Sequence, residues 1–144
     1  MVDDKARARA HDVRERFERS EFHSGWLGLT LERVAEGEVD VSMQVQPYHL
    51  NPMGTLHGGM IATLADTATG LALRSTLEDG QTFTTTHLGV TFLAPAHDGR
   101  VTARGRVLKH GRRLGYAEAD VVDADDRLLA RAAATFAVMP ERDQ

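Results

Sequence analysis

One short stretch holds residues that can do chemistry together. In Asn51-Pro-Met-Gly-Thr-Leu-His57-Gly58-Gly59-Met-Ile-Ala-Thr-Leu-Ala-Asp66, a His-Gly-Gly opens an apolar helical pattern and a carboxylate follows in its middle. Neither feature serves folding. Each glycine weakens a helix by roughly 1 kcal/mol relative to alanine, and a carboxylate on an apolar face is costly unless something there needs it. The first amides of a helix lack intrahelical acceptors and lie at the positive end of its dipole. With no side chain at Gly58 or Gly59 in the way, a carbonyl oxygen can rest on the Gly58 amide and be stabilised as it gains negative charge. The same glycines would also let a helix pack closely on a strand, so the pair alone allows either reading.

Asp66 has Ala62, Thr63, Thr69 and Gly70 as its helical neighbours, and none is a cation. It is either a structural carboxylate bonded to hydroxyls or to another chain, or a general base for water, or a nucleophile. Eight residues separate it from Gly58, about 12 Å of helix rise, too far for one carbonyl to touch both within a chain. If both serve one reaction, the carboxylate comes from a second copy. A two-fold axis setting two such helices antiparallel brings Gly58 of one near Asp66 of the other, twice. The expected minimal unit is therefore a homodimer. Asn51 and His57 flank the stretch. Asn51 can hydrogen-bond a substrate carbonyl or water; His57 can polarise a carbonyl, orient the loop or cap the helix.

The absences narrow the chemistry. There is no cysteine and no GxSxG, which removes the usual nucleophiles of ester and amide hydrolysis. A thioester asks for less, because its thiol leaves with a pKa near ~8.5; one carboxylate, one water and one oxyanion hole suffice, and no cofactor is expected. The seven histidines (His11, His23, His49, His57, His87, His97 and His110) form no HExxH and no close His/Asp cluster, so no metal is expected. No phosphate-cradling glycine loop occurs.

These residues must be positioned by a chain of 144 residues, enough for one domain with a real core. A net charge of −4 gives no general affinity for nucleic acid or anionic lipid. No apolar run approaches the roughly 18 residues of a membrane span, the N-terminus is too charged for a secretory signal, and the lack of cysteine suits the cytoplasm. Residues 3–22 read as a surface helix docked through Ala6, Ala10, Val13 and Phe17. Strands are expected over 27–34 and 38–45, joined by a tight turn at Glu36-Gly37, then a loop over 46–56. An enclosed apolar helix runs from His57 to about Leu77 and is ended by Glu78-Asp79-Gly80. Four more strands are expected, over 82–93, 100–109, 114–122 and 128–138, with short turns that would make successive neighbours antiparallel. The last is rich in alanine, a poor strand former. The order predicts an α+β fold: a curved antiparallel sheet wrapped around one long central helix, with an extra N-terminal helix over 1–24 and the domain over 25–144.

Asn51 to Gly59, then Leu64-Ala65-Asp66, resembles the hotdog-fold acyl-CoA thioesterases, specifically their phenylacetic acid degradation branch. The likeness continues through Thr85-Thr-His-Leu-Gly-Val-Thr-Phe-Leu-Ala-Pro95 to Gly111-Arg112. It implies Asp66 as base or nucleophile, Gly58 as oxyanion amide from the facing subunit, Asn51 and His57 placing water and thioester beside Gly59, and Thr85 helping to hold the water. It also implies dimers that pair into tetramers, with coenzyme A along a subunit interface. Thr85 reads equally as a plain strand hydroxyl. Relatives often carry a base before Pro95, where this chain has Ala94. Lys109, Arg112 and Arg113 are then the candidates for the nucleotide phosphates, or simply solvated turn charge. Gly70 leaves room either for an acyl chain or for close helix packing at the dimer axis. Two other functions fit the same cavity. A non-catalytic acyl-CoA sensor would carry an output domain, for which residues 1–24 offer one helix; a hotdog hydratase or dehydratase would need a His–Asp or His–Glu pair for proton transfer.

Overall fold

The alternating patterns form six strands: β1 Leu29–Ala35, β2 Glu38–Gln44, β3 Gln81–Phe92, β4 Arg100–His110, β5 Leu114–Val122 and β6 Leu128–Pro140. The apolar helical patterns form α1, Asp4–Arg19, and α2, Gly58–Arg74. This is a computed structural model, which describes residues 3–142. All pairings are antiparallel within one sheet of order β1-β2-β4-β5-β6-β3. α2 touches every strand, so the sheet curves around it. No helix among the described residues is long and apolar enough to cross a membrane.

The inward faces explain the register. Val39, Val41 and Met43 of β2, Val101 and Ala103 of β4, and Ala119 and Val121 of β5 are buried together with Ile61, Leu64, Ala65 and Ala68 of α2. In β6, Ala130, Ala132, Ala134, Phe136 and Val138 alternate inward. The alanine-rich segment is thus the longest strand, at 13 residues. Its small side chains suit an interior strand facing a helix, where packing overrides intrinsic propensity. Closeness is most acute at Gly105, where a Cβ would lie 2.5 Å from the carbonyl oxygen of Ala68. Helix backbone and sheet backbone are nearly in contact there, and only glycine permits it.

Several expectations are corrected. The N-terminal helix ends at Arg19 rather than 22, and Glu21–Trp26 form a separate π-helical turn. The first strand accordingly begins at Leu29, not at 27. α2 stops at Arg74, three residues early, where Ser75 takes over with its hydroxyl bonded to the Ala72 carbonyl. Residues 47–49 of the expected loop form a 3₁₀ turn. β3 does not pair with β4 as the short-turn rule implied; it lies beyond β6 at the sheet edge. Residues 93–99 cross the end of the sheet instead, held by the amides of Leu93 and Ala94 on the Leu129 carbonyl and by the Gly99 carbonyl on the Val45 amide. Crossing three strand spacings needs about 14 Å, within easy reach of that segment.

The sheet has two open edges. β1 carries charge along its edge, with Glu32 and Arg33 exposed. β3 presents 12 residues with no Asp, Glu, Lys or Arg among them. A long uncharged edge is a template for pairing with another strand.

Candidate active site

The entry to α2 is assembled by the preceding loop. His49 is buried, its Nδ1 accepts from the Gln46 amide at 2.9 Å, and its carbonyl accepts from the His57 amide at 3.0 Å. Asn51 organises the intervening turn. Its Oδ1 accepts from the amides of Met53 at 3.0 Å and Thr55 at 3.1 Å, while Nδ2 donates to Thr55 Oγ1 at 2.8 Å. One Nδ2 hydrogen remains for a ligand.

His57 is the N-cap of α2, with φ −60° and ψ 134°, and its Nδ1 accepts from the Gly59 amide at 2.8 Å. The capping alternative is realised. The Met60 amide goes to the His57 carbonyl at 2.9 Å. The Gly58 amide finds no acceptor among the described residues. The leading amides of α2 are thus paired except at Gly58. Phe92, at the end of β3, lies over this position: a Cβ on Gly58 would come 3.2 Å from its Cζ.

Asp66 is half-buried, not enclosed as the apolar pattern suggested. Its flank of α2 looks toward β3, the edge strand, so a single chain leaves it partly open. Oδ1 accepts from Thr85 Oγ1 at 2.9 Å, whereas Oδ2 has no partner among the described residues. The helix hydroxyls do not serve it. Thr63, Thr67 and Thr69 donate instead to the carbonyls of Gly59, Thr63 and Ala65. Thr85 stands where the β3–β6 ladder slips, between Thr85 and His87; a bulge of this kind redirects a side chain. Gly70 faces Phe83, whose Cε2 would be 3.3 Å from a Cβ there, so this chain's own ring occupies the room the glycine leaves.

Lys109, Arg112 and Arg113 sit together on the β4–β5 hairpin, exposed and without ion pairs among the described residues. By contrast, Arg104 of β4 and Arg131 of β6 are each tied to a carboxylate. The hairpin cations line a groove of about 640 Å³ with Leu114 and Tyr116. Gly115 lies opposite Phe136, and Phe136 opposite Thr85, which puts the hairpin about 10 Å across the sheet from Thr85.

Sequence reasoning passed over three residues here: His49, which sets the helix start; Phe92, which covers Gly58; and His23. The His23 ring stacks on Phe17 at 5.7 Å and meets Phe22 edge-on at 5.4 Å. Burial pushes its pKa below the usual imidazole range, and the Asp66 charge pulls the other way. Burial also lowers His49. No linear spacing links residue 23 to residue 66, so only the fold brings the ring within reach of that charge.

Comparison with known proteins agrees with this fold. Residues 53–130 match the family model of the thioesterase superfamily. Acyl-coenzyme A thioesterase 13 of Homo sapiens is 35% identical over 105 residues, covering 72% of this chain and 74% of that one. A thioesterase family protein from Silicibacter pomeroyi superposes with a TM-score of 0.86 at 30% identity, covering 92% and 99% of the two chains. The E. coli PaaI protein from the phenylacetic acid degradation operon gives 0.83 at 26%, covering 96% of each. With the helix-in-sheet fold and the family match spanning more than half of its length, this chain belongs to the thioesterase superfamily, the hotdog-fold thioester hydrolases.

Proposed function

We propose that this protein hydrolyses acyl-CoA thioesters at composite sites formed by two copies of the chain. The observation that carries the reading is the pairing of one unpartnered helix-start amide, at Gly58, with one hydroxyl-anchored carboxylate, Asp66, two turns further on. In one chain they stand about 12 Å apart along the helix. A two-fold axis removes the separation. α2 runs antiparallel to β3, with Gly58 beside Phe92, Asp66 beside Thr85, Gly70 beside Phe83 and Arg74 beside Thr82. If the open β3 edges of two copies pair antiparallel with Thr85 opposite the partner's Phe92, Asp66 comes level with the partner's Gly58. The axis then passes between Leu88 and Gly89. The same pairing satisfies the long uncharged edge.

In this site the thioester carbonyl oxygen accepts from the Gly58 amide at the positive end of α2, the position that stabilises a developing oxyanion. Asp66, with Oδ2 free, takes a proton from water or attacks the carbonyl carbon directly. Thr85 holds the carboxylate by Oδ1, His57 fixes the helix start next to Gly59, and the spare Nδ2 hydrogen of Asn51 is available to the water or the carbonyl. The thiol departs as coenzyme A, its phosphates held by Lys109, Arg112 and Arg113. An aryl or medium-chain acyl group, assembly of dimers into tetramers and a cytoplasmic location complete the proposal, together with a place in phenylacetate degradation, which the likeness to the PaaI protein supports.

Subunit complementation tests it. Gly58→Pro removes the amide hydrogen and suits the helix start, while its Cβ, 3.2 Å from Phe92 Cζ, requires that exposed ring to shift by a few tenths of an ångström. Proline is favoured at the first helical position, and His57 already has the extended conformation required before it. Gly58→Pro and Asp66→Asn should each reduce acyl-CoA hydrolysis about 100-fold or more. Mixed and allowed to exchange subunits, they should recover roughly a quarter of wild-type thiol release, since half the dimers then hold one intact site. No recovery despite demonstrated exchange would remove the composite site.

A further inference from the structure

Phe83 stands one step beyond the reacting carboxylate on both elements that build the site. On α2, Gly70 follows Asp66 by about one turn, or about 6 Å along the axis. A Cβ at Gly70 would meet Phe83 Cε2 at 3.3 Å and Cζ at 3.4 Å. On β3, Phe83 precedes Thr85 by two residues, so the two side chains leave the same face of the strand about 7 Å apart. Thr85 holds Asp66. Phe83 therefore closes the seam between α2 and β3 on the side of Asp66 that leads to the end of the helix. A glycine weakens a helix interior; here it lets an aromatic ring lie directly on helix backbone. The ring is also held from its other sides. Phe136, buried in the sheet, meets it edge-on at 5.4 Å and 86°. The Arg74 guanidinium lies over it, 5.3 Å from the centroid. Arg74 is itself fixed, donating to the Gln81 carbonyl and to Thr82 Oγ1, both at 3.1 Å. With all this contact Phe83 is still only half-buried, so part of the ring is open to an occupant of the seam.

Two-fold symmetry selects the direction in which the acyl group runs. With Asp66 level with the partner's Gly58, the axis meets α2 at Ala62, so each reacting centre lies about 6 Å from it along the helix. Toward the axis, the acyl groups of the two sites would converge on one space beside Ala62 and Leu88. Away from the axis lies Gly70, which has no side chain, and then the ring of Phe83. We propose that Phe83 is the specificity-determining end wall of the acyl site: it receives the tip of the acyl group and sets the length that the site accepts. The inference rests on the composite site proposed above. An extended chain advances about 1.3 Å per carbon–carbon bond, given a bond length near 1.5 Å. The distance to the ring thus accommodates about the length of a hexanoyl group, and one aryl ring on a single methylene spans much the same length. Longer straight chains run into a ring that Phe136 and Arg74 keep from swinging aside.

The test is a comparison of acyl lengths. Thiol release from hexanoyl-CoA and decanoyl-CoA is measured for wild type, Phe83→Leu and Phe83→Ala. The quantity read is the ratio of kcat/KM for decanoyl-CoA to kcat/KM for hexanoyl-CoA, which does not depend on how much of the enzyme is folded. The ratio should be below one in wild type and should rise about 10-fold or more in Phe83→Ala, with Phe83→Leu in between. A role in stability alone would lower both rates together and leave the ratio where it was. Equal ratios in the three proteins would overturn the proposal, as would a wild-type enzyme that hydrolyses decanoyl-CoA as well as hexanoyl-CoA. Phe83→Leu keeps an apolar side chain against Phe136 and so carries the comparison if Phe83→Ala fails to fold. Wild-type protein that releases thiol from neither substrate would overturn the thioesterase reading and this inference with it, an outcome distinct from active enzymes with an unchanged ratio.

Discussion

The closest approach of helix to sheet offers a quantitative test of how the fold holds the site. At Gly105, the Cβ of an alanine would lie 2.5 Å from the Ala68 carbonyl oxygen, 2.7 Å from its carbon and 3.0 Å from the Thr69 nitrogen. All three atoms are helix backbone, which cannot rotate aside. Restoring ordinary contact moves α2 away from β4 by roughly 1 Å, two residues from Asp66. Overpacking of this kind costs about 1–3 kcal/mol. For a chain of this size that lowers Tm by roughly 3–10 °C, compared at equal protein concentration because association shifts Tm. The displacement also reaches the reacting groups, and a misplacement near 1 Å costs up to about 100-fold in rate. Gly115→Ala is the control. Its Cβ would meet Leu73 Cδ1 at 2.7 Å, the far end of a side chain that can change rotamer. Thermal melts and acyl-CoA hydrolysis, followed by thiol release, should rank wild type above Gly115→Ala and Gly115→Ala above Gly105→Ala. A Gly105→Ala protein with wild-type Tm and wild-type rate would refute the claim that helix–sheet contact sets the position of Asp66.

Three further outcomes are expected. Thr85→Val keeps the side-chain shape but removes the donor to Asp66 Oδ1; a hydrogen bond to a charged group contributes about 1.5–3 kcal/mol, so kcat/KM for acyl-CoA should fall about 10- to 100-fold, and Thr85→Ser should retain most of it. His57→Ala leaves the Gly59 amide uncapped, which should cost about 1 kcal/mol in denaturant unfolding, while His57→Asn, a strong N-cap, should restore stability. His23 and His49 both have folded-state pKa values below the usual imidazole range because of burial. The unfolded chain therefore binds protons that the folded chain refuses as pH falls through about 6.5; stability measured by urea unfolding should be full above that pH and decline below it, with His49→Asn flattening the decline.

Much of this protein is legible in its linear order. The 3.6-residue apolar pattern of α2, the alternation in the strands and the break at Glu36-Gly37 depend on local periodicity, which a chain carries in one dimension. So does the incompatibility of Gly58 and Asp66 serving one carbonyl within one chain, because helix rise is a constant. Other features depend on which distant segments meet. β3 leaves its sequence neighbour β4 and takes the edge beyond β6, since the 93–99 link is long enough to cross the sheet end and a turn rule cannot tell a crossing from a hairpin. The alanines of β6 make a good strand only because α2 lies against them. Asn51 is committed to its own turn, Gly70 to Phe83, and Asp66 to a hydroxyl 19 residues away. Residue types and their spacing thus determine which groups are chemically able to react; three-dimensional packing decides which of them stay free to do so, because each hydrogen-bonding atom satisfied inside the fold is withdrawn from the site.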